Sequence, residues 1–196
     1  MLRHQPQRDR VTKKAKPPLR VPTCWLMTDA RLGTAMVAII AHMPPRSAVV
    51  VRAHALDQQG ADAAIRSIRR VSRAKRHLLL FAGPGEPTRR GYDASHGGPL
   101  SRTRKRQCRL LSMAVHNAQE ARRARRLGAD YAIISPIWPT RSHLGAPAIG
   151  NRSLAMLAAM AGGAAIALGG MDAKRFRSAR RFGATGWAAI DAWQQG

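Results

Sequence analysis

A chain of 196 residues, 45% of them hydrophobic, has enough apolar side chain for one domain with a sizeable core and too little for two large ones. No apolar run approaches the roughly 20 residues of a membrane span, and the N-terminus MLRHQPQRDR lacks the apolar stretch of a secretory signal, so the sequence reads as cytoplasmic with no membrane partner. The net charge of +24 admits nucleic acid as a partner, but the basic residues fall in separate blocks, three of them on amphipathic helix patterns whose solvated outer faces account for them.

Residues 1–20 carry Lys, Arg, Pro and Gln with little to bury. They predict a disordered basic arm ahead of a single domain over 21–196. A short apolar strand follows at 23–27 and ends in Thr28-Asp29. A helix pattern over 32–42 stops before Pro44-Pro45, and the β-branched run at 48–52 is a second strand. The spacing of Ala61, Ala64, Ile65 and Ile68 predicts a helix over 57–73, and 77–82 is a third strand. Residues 83–98 leave no room for a full helix and hold at best a short strand. Regularity returns with a strand at 110–115. Asn117 is a good helix N-cap, with Glu120 placed to complete a capping box and Gly128 to end the helix. A strand at 130–134, a Pro-rich loop over 135–150, a helix at 152–160, a strand at 164–168, a helix capped by Asp172 and a last strand at 186–190 complete the chain. Cys24 and Cys108 lie far apart and outside any CxxC motif, so they read as free thiols rather than zinc ligands.

Apolar strands alternating with helices imply a parallel sheet covered on both faces. An open doubly wound sheet would place a Gly-rich loop after its first strand. Here the first strand ends in Thr-Asp, and Gly169-Gly170 follows the penultimate one. That position is a habit of barrels. The expected architecture is a compact (β/α)8 TIM barrel with a degenerate third β/α unit.

Three features carry chemistry. Gly169-Gly170 lies between a strand and a capped helix, where backbone N–H groups can meet a phosphate. The loop after the 130–134 strand offers Thr140, Arg141 and Ser142 at the end of a barrel strand where active sites lie. His116 follows the 110–115 strand and stands ready to move protons near neutral pH.

The runs MAVHNAQEARRARRLGADYA at 113–132, SPIWPT at 135–140, GAP at 145–147, AIALGGM at 165–171 and FGATGWAAI at 182–190, in this order, closely resemble the thiamine-phosphate synthase/TenI family. LMTD at 26–29 and VVVR at 49–52 extend the resemblance faintly towards the N-terminus. It implies an enzyme of thiamine biosynthesis on a (β/α)8 barrel. The synthase, a transferase, joins hydroxymethylpyrimidine diphosphate to thiazole phosphate and releases pyrophosphate with the help of Mg²⁺. The TenI branch is an isomerase that tautomerises thiazole carboxylate phosphate through a histidine after the fifth strand. By position Arg52 would face pyrophosphate, with Thr140 and Ser142 holding it. Gly169 and Gly170, with the backbone of Ala189 and Ile190, would cradle the thiazole phosphate. His116 matches the catalytic histidine of the tautomerase and the loop histidine of the synthase.

The chain also departs from that pattern. His54 replaces a lysine, Ala82-Gly83-Pro84 stands where the Mg²⁺-binding Asn-Asp is expected, His143 replaces the loop lysine, and Asp191 replaces a serine of the phosphate cradle. Asp93 is the one carboxylate near the second expected metal position. The thiazole-phosphate half therefore reads as kept and the pyrophosphate–magnesium half as eroded. Beside the synthase reading stand a TenI-like isomerase using His116 and an impaired barrel that binds a phosphorylated ligand, or nucleic acid through its basic arm and patches. The sequence leaves a homo-oligomer open.

Overall fold

The computed structural model describes residues 21–52, 55–56, 61–83, 92–97, 110–140 and 147–193. The N-terminal arm, Ser142 with its neighbours Arg141 and His143, and most of the degenerate third unit lie outside these residues.

Eight strands run parallel: β1 Cys24–Met27, β2 Ala48–Arg52, β3 Leu78–Ala82, β4 Ala94–His96, β5 Leu110–Val115, β6 Tyr131–Ile134, β7 Ala164–Leu168 and β8 Gly186–Ala189. Each pairs with the next, and β8 pairs back to β1 with Trp25 opposite Ala188, which closes the barrel. The period-two alternation of strand side chains divides the core. Tyr131 and Ile133 join a cluster with Trp25, while Ala132 and Ile134 join one with Leu154, Leu157 and Phe176. Large side chains are few, so the barrel is filled by selected pairs. Trp25 and Tyr131, both fully buried, meet edge-on with ring centroids 4.9 Å apart. Such a pair contributes about 0.5–1.5 kcal/mol beyond its area burial. Trp193 stacks on Trp187 at 4.7 Å and donates its indole N–H to the Trp25 carbonyl, tying the last turn back to β1.

The helices are α1 Met36–His42, α2 Ala61–Ala74, α3 Ala118–Leu127, α4 Gly150–Ala161 and α5 Ala173–Arg180. The helix expected over 32–42 is shorter than its pattern. Gly33 adopts φ 47°, ψ −135° and breaks the run, leaving a 3₁₀ segment at Ala30–Ala35 before α1. Most arginines of the basic blocks, including Arg66, Arg70, Arg122, Arg126 and Arg177, are exposed on α2, α3 and α5, as solvated outer faces require. No helix among the described residues is long and apolar enough to cross a membrane.

Asn117 caps α3 by accepting from the Glu120 N–H at 3.0 Å. The reciprocal half of the capping box is displaced by one residue. Glu120 Oε2 accepts from the backbone N–H of His116 at 2.7 Å, not from that of Asn117. The displacement matters because it brings a carboxylate onto a candidate catalytic residue.

Candidate active site

The loop after β6 lies directly on the turn after β7. Ile137 N–H donates to the Leu168 carbonyl at 2.9 Å and Trp138 N–H to that of Gly169 at 3.1 Å. A Cβ on Gly169 would sit 2.8 Å from Pro136 Cα, and one on Gly170 would sit 2.5 Å from the Pro139 carbonyl oxygen. The two glycines are therefore demanded first by the close approach of these loops. Both have positive φ, 96° and 57°. Their N–H groups donate to no described residue, so they remain available to an acceptor in the space in front of them.

That space is a cavity of about 680 Å³ at the C-terminal ends of the strands. Arg52 from β2, His116 after β5 and Thr140 from the β6 loop line it, together with Gly169 and Gly170. Ala189 and Ile190 at the end of β8 complete this wall. Residues distant in sequence thus converge because parallel strands deliver their C-terminal ends to one mouth.

Arg52 is tightly held. Its Nε donates to the Thr28 carbonyl at 2.5 Å, its Nη2 donates to Asp29 Oδ2 at 2.6 Å, and its backbone N–H donates to Thr28 Oγ1 at 2.9 Å. Asp29 also accepts from Arg31 Nε at 2.9 Å and from the Arg31 backbone N–H. The Arg31 hydrogen bonds, reinforced by Arg52, hold the Asp29 carboxyl down at about 2. Arg31 in turn reaches Asp191 at 3.4 Å. The carboxylate that departs from the family pattern is therefore balanced by a cation on the rim. Nothing in the sequence pattern marks Asp29 and Arg31 as joining this site, because Arg52 and Asp191, which tie them to it, lie 23 or more residues away.

His116 is half exposed, and its Nδ1 lies 2.8 Å from Glu120 Oε2. With Nδ1 donating to the carboxylate, Nε2 is left as the proton acceptor. Burial raises the Glu120 carboxyl, but hydrogen bonds from the backbone and ring of His116 outweigh it, and the net shift is downward. Glu120 stays ionised and fixes the ring.

A second histidine was not foreseen. His96, the last residue of β4, places Nδ1 3.0 Å from the buried Ser112 Oγ. Burial, followed by the positive fields of Arg52 and His116, pushes its imidazole down to about 4. Its place at the end of a barrel strand was the available signal, hidden by the weak pattern of β4. The folded chain therefore holds His96 neutral at pH values where the unfolded chain, near the ordinary 6.5, takes a proton. Stability from this group is full above 6.5 and is lost as pH falls towards 4. Urea unfolding between pH 7 and 4 should show this loss in the wild type and a flatter profile in His96→Gln; equal slopes would contradict it.

Asp93 is a correction. It lies at the start of β4, where Oδ2 accepts from the Leu79 N–H at 2.9 Å near the start of β3. Asp130 makes the same brace to Leu111 at 2.8 Å between β6 and β5. Both belong to the barrel's N-terminal face, opposite the cavity, so Asp93 has no place among ligands at the mouth. The described residues contain no cluster of three His, Cys, Asp or Glu side chains that could hold a metal ion. The mouth carboxylates Asp29 and Asp191 both face arginines. Asp172, a further carboxylate lining the cavity, caps α5, so the described carboxylates around the mouth are all engaged within the protein.

Known proteins resemble this chain in part of its sequence and in its fold. Residues 97–193 match the family described as thiamine monophosphate synthase. The match covers just under half of the chain and takes in β5 to β8. A thiamine-phosphate synthase of Syntrophomonas wolfei subsp. wolfei is 30% identical over 95 residues, 48% of this chain and 46% of its own. The chain thus matches about half the length of that curated relative. A thiamine phosphate pyrophosphorylase from Pyrococcus furiosus superposes with a TM-score of 0.72 at 21% identity, covering 87% of this chain and 86% of its own. One from Bacteroides thetaiotaomicron gives a TM-score of 0.57 at 12% identity, covering 90% and 86%. At these identities the structural likenesses carry the fold alone.

One lining residue had no place in the sequence reading. Arg175, three residues after the Asp172 cap, reaches back to the Gly170 carbonyl through Nη1 and lies over the Trp138 ring, 5.6 Å from its centroid. It lines the same cavity as the two glycines.

Proposed function

We propose that this chain is a thiamine-phosphate synthase-like enzyme that binds thiazole phosphate and joins it to hydroxymethylpyrimidine diphosphate, releasing pyrophosphate. The observation that carries the reading is the family match over 97–193 coinciding with a cavity whose Gly169-Gly170 end offers N–H donors that no described residue takes up. Those donors, with the adjoining end of β8 at Ala189 and Ile190, hold the phosphate of the thiazole. Arg52 stands across the cavity, on the side of the departing pyrophosphate. The protein's contribution is to align the thiazole nitrogen with the pyrimidine methylene as its bond to the diphosphate oxygen breaks. Mg²⁺ would help that departure in the family's synthases.

Purified full-length protein, given both substrates and Mg²⁺, should form thiamine phosphate detectable by chromatography. No product at high enzyme concentration would sink the synthase reaction.

The His116–Glu120 pair at 2.8 Å favours a second reading, a TenI-like tautomerase. Here His116 Nε2 takes a proton from one position of the thiazole ring system and returns it to another. Tautomerisation of thiazole carboxylate phosphate without thiamine phosphate formation would select this reading over the first.

A further inference from the structure

We infer that Arg175 is the cation of the phosphate subsite and that Trp138 and the Gly170 carbonyl hold it in place. The inference rests on the phosphate site proposed above and adds a residue to it. Arg175 follows Asp172, whose Oδ1 accepts the Arg175 backbone N–H at 2.7 Å, so its side chain leaves the first turn of α5 beside the glycine turn. A guanidinium has five N–H donors. One of them goes to the Gly170 carbonyl, and Cζ lies over the Trp138 ring at cation–π distance. The only carboxylate in its own turn, Asp172, accepts from its backbone N–H. The Asp29 and Asp191 carboxylates are engaged with Arg31 and Arg52.

Charge in the cavity is therefore uneven. Arg31 and Arg52 are paired with two carboxylates, whereas the Arg175 guanidinium, beside Gly169 and Gly170, forms no ion pair with a described carboxylate, and Asp172, which lines the same cavity, caps the backbone of α5. A guanidinium already held by a carbonyl and a cation–π contact loses less side-chain entropy when its remaining donors take phosphate oxygens. Its bond to the Gly170 carbonyl also orients that turn. The fitting ligand group is a phosphomonoester dianion whose oxygens share the two glycine N–H groups and the guanidinium.

Titration of the full-length protein with inorganic phosphate, and separately with thiazole phosphate, tests this by calorimetry and by tryptophan emission. Trp138 is the indole against Arg175, and Trp138→Phe should remove the emission change while calorimetry still reports binding. Arg175→Ala and Arg175→Gln should each weaken binding roughly 10- to 100-fold, the range expected for losing charged hydrogen bonds. Arg175→Gln retains a donor for the Gly170 carbonyl and so separates charge from local structure. Thiazole-phosphate affinity within twofold of wild type in Arg175→Gln would overturn the inference while leaving the phosphate site intact. Failure of the wild type to bind either ligand would overturn the site itself, and the inference with it.

Discussion

Gly170→Ala is expected to abolish measurable phosphate binding and to destabilise the barrel by about 2–5 kcal/mol, the sum of two separate penalties. The first is conformational: Gly170 has φ 57°, where an L side chain costs roughly 1–2 kcal/mol. The second is steric. The new Cβ would lie 2.5 Å from the Pro139 oxygen and 2.9 Å from Trp138 Cβ. Backbone cannot swing aside as a side-chain tip does, so the 136–140 loop must move, at a cost typical of overpacking, about 1–3 kcal/mol. Movement of that loop displaces Trp138 from Arg175 and Thr140 from the cavity. Gly183→Ala is the matched control. It too has positive φ, at 91°, but its added Cβ meets only Ala158 Cβ at 3.8 Å. It should lose only the conformational part, roughly 1–2 kcal/mol, and bind phosphate as the wild type does. Thermal melts with phosphate titrations on both variants check this. Equal behaviour of the two would mean that the loop contact is not what demands Gly170.

His116→Ala is expected to lower turnover by about 10²- to 10⁴-fold, the usual worth of a positioned acid–base group, if the tautomerase reading holds. Affinity for the thiazole phosphate should change little, because the phosphate end lies on β7 and β8. Glu120→Gln keeps a hydrogen-bond partner for the ring but removes its charge. It should lower turnover less than His116→Ala does, since the ring keeps a hydrogen-bond partner at Nδ1. Should the same substitution leave synthesis of thiamine phosphate untouched, His116 has no proton to move in that reaction and the synthase reading gains. Unchanged turnover in both assays would remove His116 from the machinery altogether.

Much of this was legible because barrel strands carry strong local signals. The apolar runs at Val49–Val51 and Leu78–Leu80 could be read from composition, and so could Asn117 and Gly128 as the ends of a helix. His116, Gly169 and Gly170 were legible from their positions at strand ends, and the structure brings them to one cavity with Arg52, Thr140, Ala189 and Ile190. What escaped depended on long-range pairing. Asp29 reads as the end of a strand until Arg52, 23 residues on, is seen to bond it. Arg175 reads as one more solvated arginine of a basic block until Trp138 arrives beneath it from another loop. Asp93 misled because a carboxylate near a glycine turn resembles a ligand; the barrel puts it at the wrong end of its strand, where a backbone N–H occupies it. Gly33 broke a helix that the apolar spacing alone would have carried through.

The central claim is that a phosphorylated thiazole binds with its phosphate on the Gly169-Gly170 turn. Amide chemical shifts of the ¹⁵N-labelled full-length protein, followed as thiazole phosphate is added, test it most directly. The account predicts large downfield movements of the Gly169 and Gly170 amide protons, as new hydrogen bonds form to phosphate, together with smaller shifts at Ala189 and Ile190. Saturable binding that leaves both glycine amides unmoved would contradict it.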